Sequence, residues 1–231
     1  MKRYAALIFD LDDTLYLERE YVWSGFRAVA AWAAEHLGLP QDRGFERLCM
    51  LFEQGVRRDT FNQWLGLWGV FDETLVPQLV SVYREHWPDI APFSIAPALL
   101  EHFHRFCRLG LVSDGYLNVQ ERKLEALNLR PFFDVVVFPD REGRDAWKPN
   151  PKPFYEALEQ LGNIAPTESL YIADNPTKDF LAPRRLGMGS IRIRHPEGLY
   201  YSVEPPTPEY MPDVVVQFLE DLPQVIACLA A

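Results

Sequence analysis

The segment Leu7-Ile8-Phe9-Asp10-Leu11-Asp12-Asp13-Thr14 places three carboxylates in four positions, directly after an apolar run that reads as a fully buried strand over 5–10. A calcium loop counted from Asp10 needs Gly at its sixth position and Glu at its twelfth. This chain has Leu15 and Tyr21 there, so that reading is rejected. Two readings remain: a solvated acidic turn without function, and a carboxylate nucleophile with a partner acid. Side chains alternate along an extended segment, so Asp10 and Asp12 lean the same way, roughly 7 Å apart along the chain.

Three further strand-like runs end in chemistry that fits the second of these. One ends in Ser113-Asp114-Gly115, a hydroxyl beside a glycine turn. The loop after another carries Lys148 in Lys-Pro-Asn-Pro. A third ends in Asp174, with Asp179 five residues on. Carboxylate oxygens are hard ligands that suit Mg²⁺, and hydroxyl, turn amides and ammonium suit an anion's oxygens. Each has a plainer use: Ser113 as a turn residue, Lys148 as a surface lysine, and Asp174 and Asp179 as helix caps. The chain contains only five Lys against eighteen Arg, yet Lys148 and Lys178 lie within or beside these signatures.

The elements that must position these residues alternate. Helical patterns over 96–106, 116–127, 153–161 and 177–186 separate short apolar strands at 109–114, 134–138, 170–174, 190–194 and 214–216, and the end of the chain reads as helical. Pro183 is expected to kink or shorten the helix over 177–186. Such alternation predicts an α/β fold, a Rossmann-like parallel sheet with helices on both faces, and ligands bound beyond the carboxyl ends of its strands. Between the first and second strands nearly a hundred residues intervene, carrying four amphipathic patterns: Val22 to Leu37, Phe45 to Val56, Phe61 to Trp68, and Leu75 to Val82. They predict a helical-bundle domain over 16–92, inserted into a core of 1–15 and 93–231. The Pro-rich stretch 195–212, with Tyr200 and Tyr201, reads as a surface excursion. His102 and His104, two apart on a helix, read as surface residues rather than ligands.

Composition limits the alternatives. A formal net charge of −10 over 231 residues argues against a nucleic-acid partner. No apolar run is long enough for a membrane helix. Three scattered cysteines and a start that does not read as a signal peptide suggest a reduced, cytoplasmic protein. The oligomeric expectation is a monomer or weak homodimer.

Taken together in their order along 5–195, these motifs resemble the haloacid dehalogenase superfamily, most of whose members are phosphatases. Asp10-Leu11-Asp12-Asp13-Thr14 is similar to its first motif, Ser113 to the second, Lys148 with Pro149 to the third, and Asp174 with Asp179 to the fourth. The insertion point resembles the subclass with an α-helical cap after the first motif. Departures are Ala173, where the family often has Gly, and Pro183. The resemblance implies a Mg²⁺-dependent hydrolysis of a small phosphorylated metabolite. Asp10 would attack phosphorus and form an aspartyl-phosphate, with Asp12 acting as acid and then base. The ion would be held by Asp10, the backbone carbonyl of Asp12 and Asp174, with Asp179 orienting the set. Ser113 and the Asp114 amide would hold phosphoryl oxygens, and Lys148 would neutralise nucleophile and phosphate.

Asp12 argues against a true dehalogenase, because departing chloride needs no proton. A phosphonate-cleaving relative would need a cap lysine, and none lies between Lys2 and Lys123. A sugar phosphomutase uses the same residues and stays open as an alternative, as does a non-catalytic phosphoprotein-binding scaffold, although a scaffold would be expected to lose one of the four motifs. A dinucleotide-binding oxidoreductase is rejected, since Gly187-Met188-Gly189-Ser190 precedes a strand and lacks the third glycine. The most polar interior stretch of the insertion offers Arg57, Arg58 and Asn62, at a helix junction, as candidates for reading the substrate; the plainer reading, solvated loop residues, stays open.

Overall fold

A computed structural model describes residues 4–229. The chain forms two compact units, one of residues up to Glu18 together with those from Ala91 onward, the other of Arg19–Ile90. The larger unit holds a six-stranded sheet of β1 (Ala6–Phe9), β2 (Arg108–Val112), β3 (Val135–Val137), β4 (Ser169–Ala173), β5 (Gly189–Ile193) and β6 (Val214–Val216). The spatial order is β3-β2-β1-β4-β5-β6, and every pairing is parallel. Helices cover both faces, the α/β Rossmann-like arrangement that the alternation predicts. This cover explains why β1, Ala-Leu-Ile-Phe, is apolar at every position: each of its side chains is buried on one face or the other.

Register fixes the site. Phe9 pairs with both Leu111 and Ile172, so the chain leaves β1, β2 and β4 at one level of the sheet. Asp10 N donates to the Ile172 carbonyl (2.9 Å) and Ser113 N to that of Val137 (3.2 Å), carrying the ladder one step past each strand. Beneath them, Ile8, Val112, Phe154, Tyr171, Phe180 and their neighbours form the apolar core.

The helices of this unit are α5 (Ala96–His104), α6 (Leu117–Ala126), α7 (Lys152–Gln160), α8 (Leu181–Leu186) and α9 (Leu222–Leu229). Pro97 and Pro153 occupy the first turns of α5 and α7, where the missing N–H costs no bond. Helix α8 starts four residues later than its pattern suggests. Asn175 closes an Asx turn with Thr177 N (2.9 Å), and Asp179 Oδ2 accepts from Asn175 N (2.9 Å), which holds 175–179 in a non-helical turn. Pro183 therefore lies in the first turn of α8 and breaks nothing, and the helix ends on Gly187 in the left-handed region (φ 78°).

The smaller unit contains α1 (Glu18–Leu37) apart from its first residue, α2 (Gln41–Glu53), α3 (Thr60–Gly66) and α4 (Leu75–Glu85). Its own core includes Phe26, Val29, Leu48, Phe52, Trp64 and Leu79, all buried. Trp64 donates its indole N–H to the Gly44 carbonyl (2.8 Å), and that backbone can come so close because a Cβ on Gly44 would already lie 3.3 Å from the ring.

Candidate active site

Asp10, Ser113 and Asp174 stand at the carboxyl ends of the adjacent strands β1, β2 and β4, and the loops beyond add Lys148 and Asp179. All five are buried. Lys148 Nζ lies 2.8 Å from Asp179 Oδ1, 3.1 Å from Asp10 Oδ2 and 2.8 Å from the Tyr171 hydroxyl. Burial alone pushes a lysine pKa down. Here the carboxylates of Asp10, Asp179 and Asp114 more than offset it, and the ammonium is held charged well above its ordinary range.

Asp10, Asp174 and Asp179 each offer a carboxylate oxygen within 4.8 Å of the others. Asp10 Oδ1 and Asp174 Oδ2 are buried without a hydrogen-bond donor. Burial, reinforced by neighbouring carboxylates, pushes the Asp10 carboxyl up to about 6 despite Lys148, and holds that of Asp174 well above the usual range. Three converging carboxylates with donorless buried oxygens are costly unless a cation meets them. The donor set, all hard oxygen, fits a divalent ion of the Mg²⁺ type.

The side chain of Asp12 faces elsewhere. Its Oδ1 accepts from Lys123 Nζ (2.7 Å) and from the Tyr16 hydroxyl, and its Oδ2 from Gln120 Nε2 (3.0 Å). Burial pushes this carboxyl up, but the Lys123 charge and the three donors outweigh it, leaving Asp12 below the ordinary carboxylate range. Asp114 holds two lysines in place, accepting from the backbone N of Lys148 (3.1 Å) and from Lys178 Nζ (2.9 Å).

Asp13 has φ 50° and turns its buried carboxylate away from this set, accepting from Glu18 N (2.8 Å) and Leu199 N (2.7 Å). The Pro-rich stretch 195–212 runs over the surface, with none of its residues buried, but it is anchored at two places. Its first part is tied to the acidic turn, and buried Arg192 anchors it again through the carbonyls of Tyr200 (2.7 Å) and Val203 (2.9 Å).

In the smaller unit, Arg57 lies over the Phe52 ring (3.6 Å to the centroid) and donates to the carbonyls of Phe52 and Val56. Asn62 donates to Asp59 Oδ1 (2.7 Å), and Arg58 is exposed. His104, on α5, pairs with Asp134 (3.2 Å).

Residues 7–193 match the haloacid dehalogenase-like hydrolase family, and the chain belongs to it. Among named relatives, a glyceraldehyde 3-phosphate phosphatase of Methanopyrus kandleri is 31% identical, over 97% of this chain and 98% of its own. Another of that name, from Methanocaldococcus jannaschii, is 27% identical over 95% and 96%. Of solved structures, the HAD-hydrolase YfnB of Bacillus subtilis shares the fold with a TM-score of 0.69, at 21% identity over 97% of this chain and 99% of that one.

The residues that sequence reasoning missed are Tyr16, Gln120 and Lys123, which meet Asp12, and Arg192. Helix α6 did carry a signal. Gln120 and Lys123 share its buried side with Val119 and Leu124, where packing alone would favour apolar residues.

Proposed function

We propose that this protein is a Mg²⁺-dependent phosphatase that hydrolyses a small phosphomonoester through an aspartyl-phosphate. The observation that carries this reading is the state of Asp10: Oδ2 held by Lys148, Oδ1 buried without a donor, and a second carboxylate, Asp12, two residues on. The near full-length likeness to two glyceraldehyde 3-phosphate phosphatases supports a three-carbon sugar phosphate or a similar metabolite as substrate.

Asp10, Asp174 and the backbone carbonyl of Asp12 would hold the ion, with Asp179 orienting them. When bound, it screens the carboxylate from the phosphate and stabilises charge on the transferring group. An Asp10 oxygen forms a bond to phosphorus as the ester oxygen leaves. Asp12 is ionised in the resting site beside Lys123, so it first takes up a proton, and the departing alkoxide then receives that proton from it. Asp12 then removes a proton from water as the water oxygen bonds to phosphorus and the Asp10–phosphorus bond breaks. The proton lost in the first half is regained in the second, so the cycle closes. Ser113 Oγ and the Asp114 amide hold phosphoryl oxygens, and Lys148 balances nucleophile and phosphate together. The unit of Arg19–Ile90 serves as a cap that selects the substrate, with exposed Arg58 as its candidate reading residue, since Arg57 and Asn62 are engaged within the unit.

The test is phosphate release from glyceraldehyde 3-phosphate and a panel of small phosphate esters, with Mg²⁺ and with excess chelator. Turnover should require the ion and should vanish in Asp10→Asn while the fold persists. Sustained turnover in Asp10→Asn, or in chelator, rules the mechanism out.

A further inference from the structure

Gln120 and Lys123 rise from the buried side of α6, 1% and 4% exposed. Polar groups there cost stability unless paired, and apolar replacements of buried ion pairs are often neutral or stabilising. What they pair with points to function. Gln120 Nε2 reaches two acceptors, Asp12 Oδ2 at 3.0 Å and Ser113 Oγ at 2.8 Å. An ionised carboxylate only accepts, so the amide end facing Asp12 is the NH₂ group, and its second hydrogen falls to the serine. A hydroxyl that accepts a bond keeps its own proton to donate, and that of Ser113 is left for an oxygen at the strand ends. Lys123 Nζ, 2.7 Å from Asp12 Oδ1, completes with Tyr16 a set of three donors around one carboxylate. The backbone makes room for this arrangement. Gly115 (φ +141°) passes so close that a Cβ there would stand 2.8 Å from the Gln120 amide carbon.

We propose that Gln120 and Lys123 are positioning residues, Gln120 aiming the Ser113 hydroxyl at the phosphoryl oxygens and Lys123 fixing the Asp12 carboxylate where it exchanges protons with leaving group and water. This rests on the phosphatase reading and extends it to two residues of α6 outside the four motifs. The two should separate experimentally, because Ser113 serves binding and Asp12 serves turnover.

The experiment measures inorganic phosphate binding by calorimetry in the presence of Mg²⁺, beside steady-state kinetics with an alkyl phosphate, on Gln120→Glu, Lys123→Met and Lys123→Arg. In Gln120→Glu the new carboxylate draws the Ser113 proton to itself and also faces Asp12 Oδ2 in place of a donor, so kcat falls here as well as binding. Phosphate should bind at least ten-fold more weakly, and KM should rise by a similar factor. In Lys123→Met phosphate should bind within about two-fold of the parent while kcat falls on the order of 10²-fold, and Lys123→Arg should recover at least ten-fold of that loss. If Lys123→Met does not fold, Lys123→Gln carries the same comparison. Unchanged kinetics in these variants, or equal losses in binding and turnover in Lys123→Met with no recovery by Arg, overturn the proposal alone. A parent protein that neither binds phosphate nor releases it overturns the phosphatase reading and this inference together.

Discussion

Lys148 Nζ and Asp179 Oδ1 meet at 2.8 Å with both side chains fully buried, and the same ammonium reaches Asp10 at 3.1 Å. One cation thus serves two carboxylates, while Asp174 beside them has no such partner on its Oδ2. Removing one member of a buried pair strands the others, at a cost of about 3–5 kcal/mol. Lys148→Met should therefore lower the melting temperature markedly and abolish measurable turnover. Mg²⁺ should recover more of the stability than of the activity, since it can offset the stranded charge but cannot take the place of an ammonium at the phosphate. A variant as stable as the parent would show that the ion pair is not what balances this cluster.

The same crowding makes metal-free stability depend on pH with a definite sign. Asp10 holds its proton up to about 6 in the folded chain, chiefly through burial, against 3.8 for the ordinary side chain. Between those values the folded state binds more protons than the unfolded state, so stability falls as pH rises through the window. Thermal melts in chelator should show a lower midpoint at pH 7 than at pH 5 from this group. Saturating Mg²⁺, worth about 2.7 kcal/mol at a hundred times its Kd, should stabilise more at pH 7 than at pH 5. An ion effect equal at both pH values would count against Asp10 as a ligand.

Arg192 gives a third prediction. It is 2% exposed, and its Nε donates to the Asp174 carbonyl (2.9 Å) while Nη2 serves Tyr200 and Val203. Arg192→Met would leave these carbonyls without their donors, at about 1–3 kcal/mol for each left unsatisfied. The segment 198–203 should become the first protease cut, and Mg²⁺ affinity should fall through Asp174. Calorimetry and limited proteolysis read the two effects separately. An unchanged cleavage pattern would mean that Asp13, through Leu199, holds the segment by itself.

How far the sequence carries depends on the range of the interactions. The strand ends were legible because each apolar run stops at its polar residue, and parallel register then gathers Asp10, Ser113 and Asp174 at one level. The start of α8 was not, because an Asx turn at Asn175 and the carboxylate of Asp179 outcompete helix propensity over four residues. Contacts such as Gln120 with Asp12, or Asp13 with Leu199, join residues more than a hundred positions apart, and no periodicity announces the partner. Arg192 falls in a strand pattern that reads as ordinary alternation, and only its burial among loop carbonyls reveals the anchor.

The last prediction concerns the unit of Arg19–Ile90 and separates two neighbouring arginines. Arg57 is engaged locally, its guanidinium over Phe52 and its donors on the Phe52 and Val56 carbonyls. Arg58 is exposed on the same junction. Arg57→Ala should cost stability of about 1 kcal/mol, from a lost cation–π contact and hydrogen bonds, with similar modest effects on every substrate. If Arg58 reads the substrate, Arg58→Ala should leave the melt unchanged. Its kcat/KM for the best sugar phosphate should fall ten-fold or more, roughly 1.4 kcal/mol of transition-state binding. Nitrophenyl phosphate, whose leaving group offers no hydroxyls or carboxylate to an arginine, should be hydrolysed at the parent rate. Equal effects of Arg58→Ala on both substrates, or none on either, would remove it from substrate recognition and leave the junction a structural one.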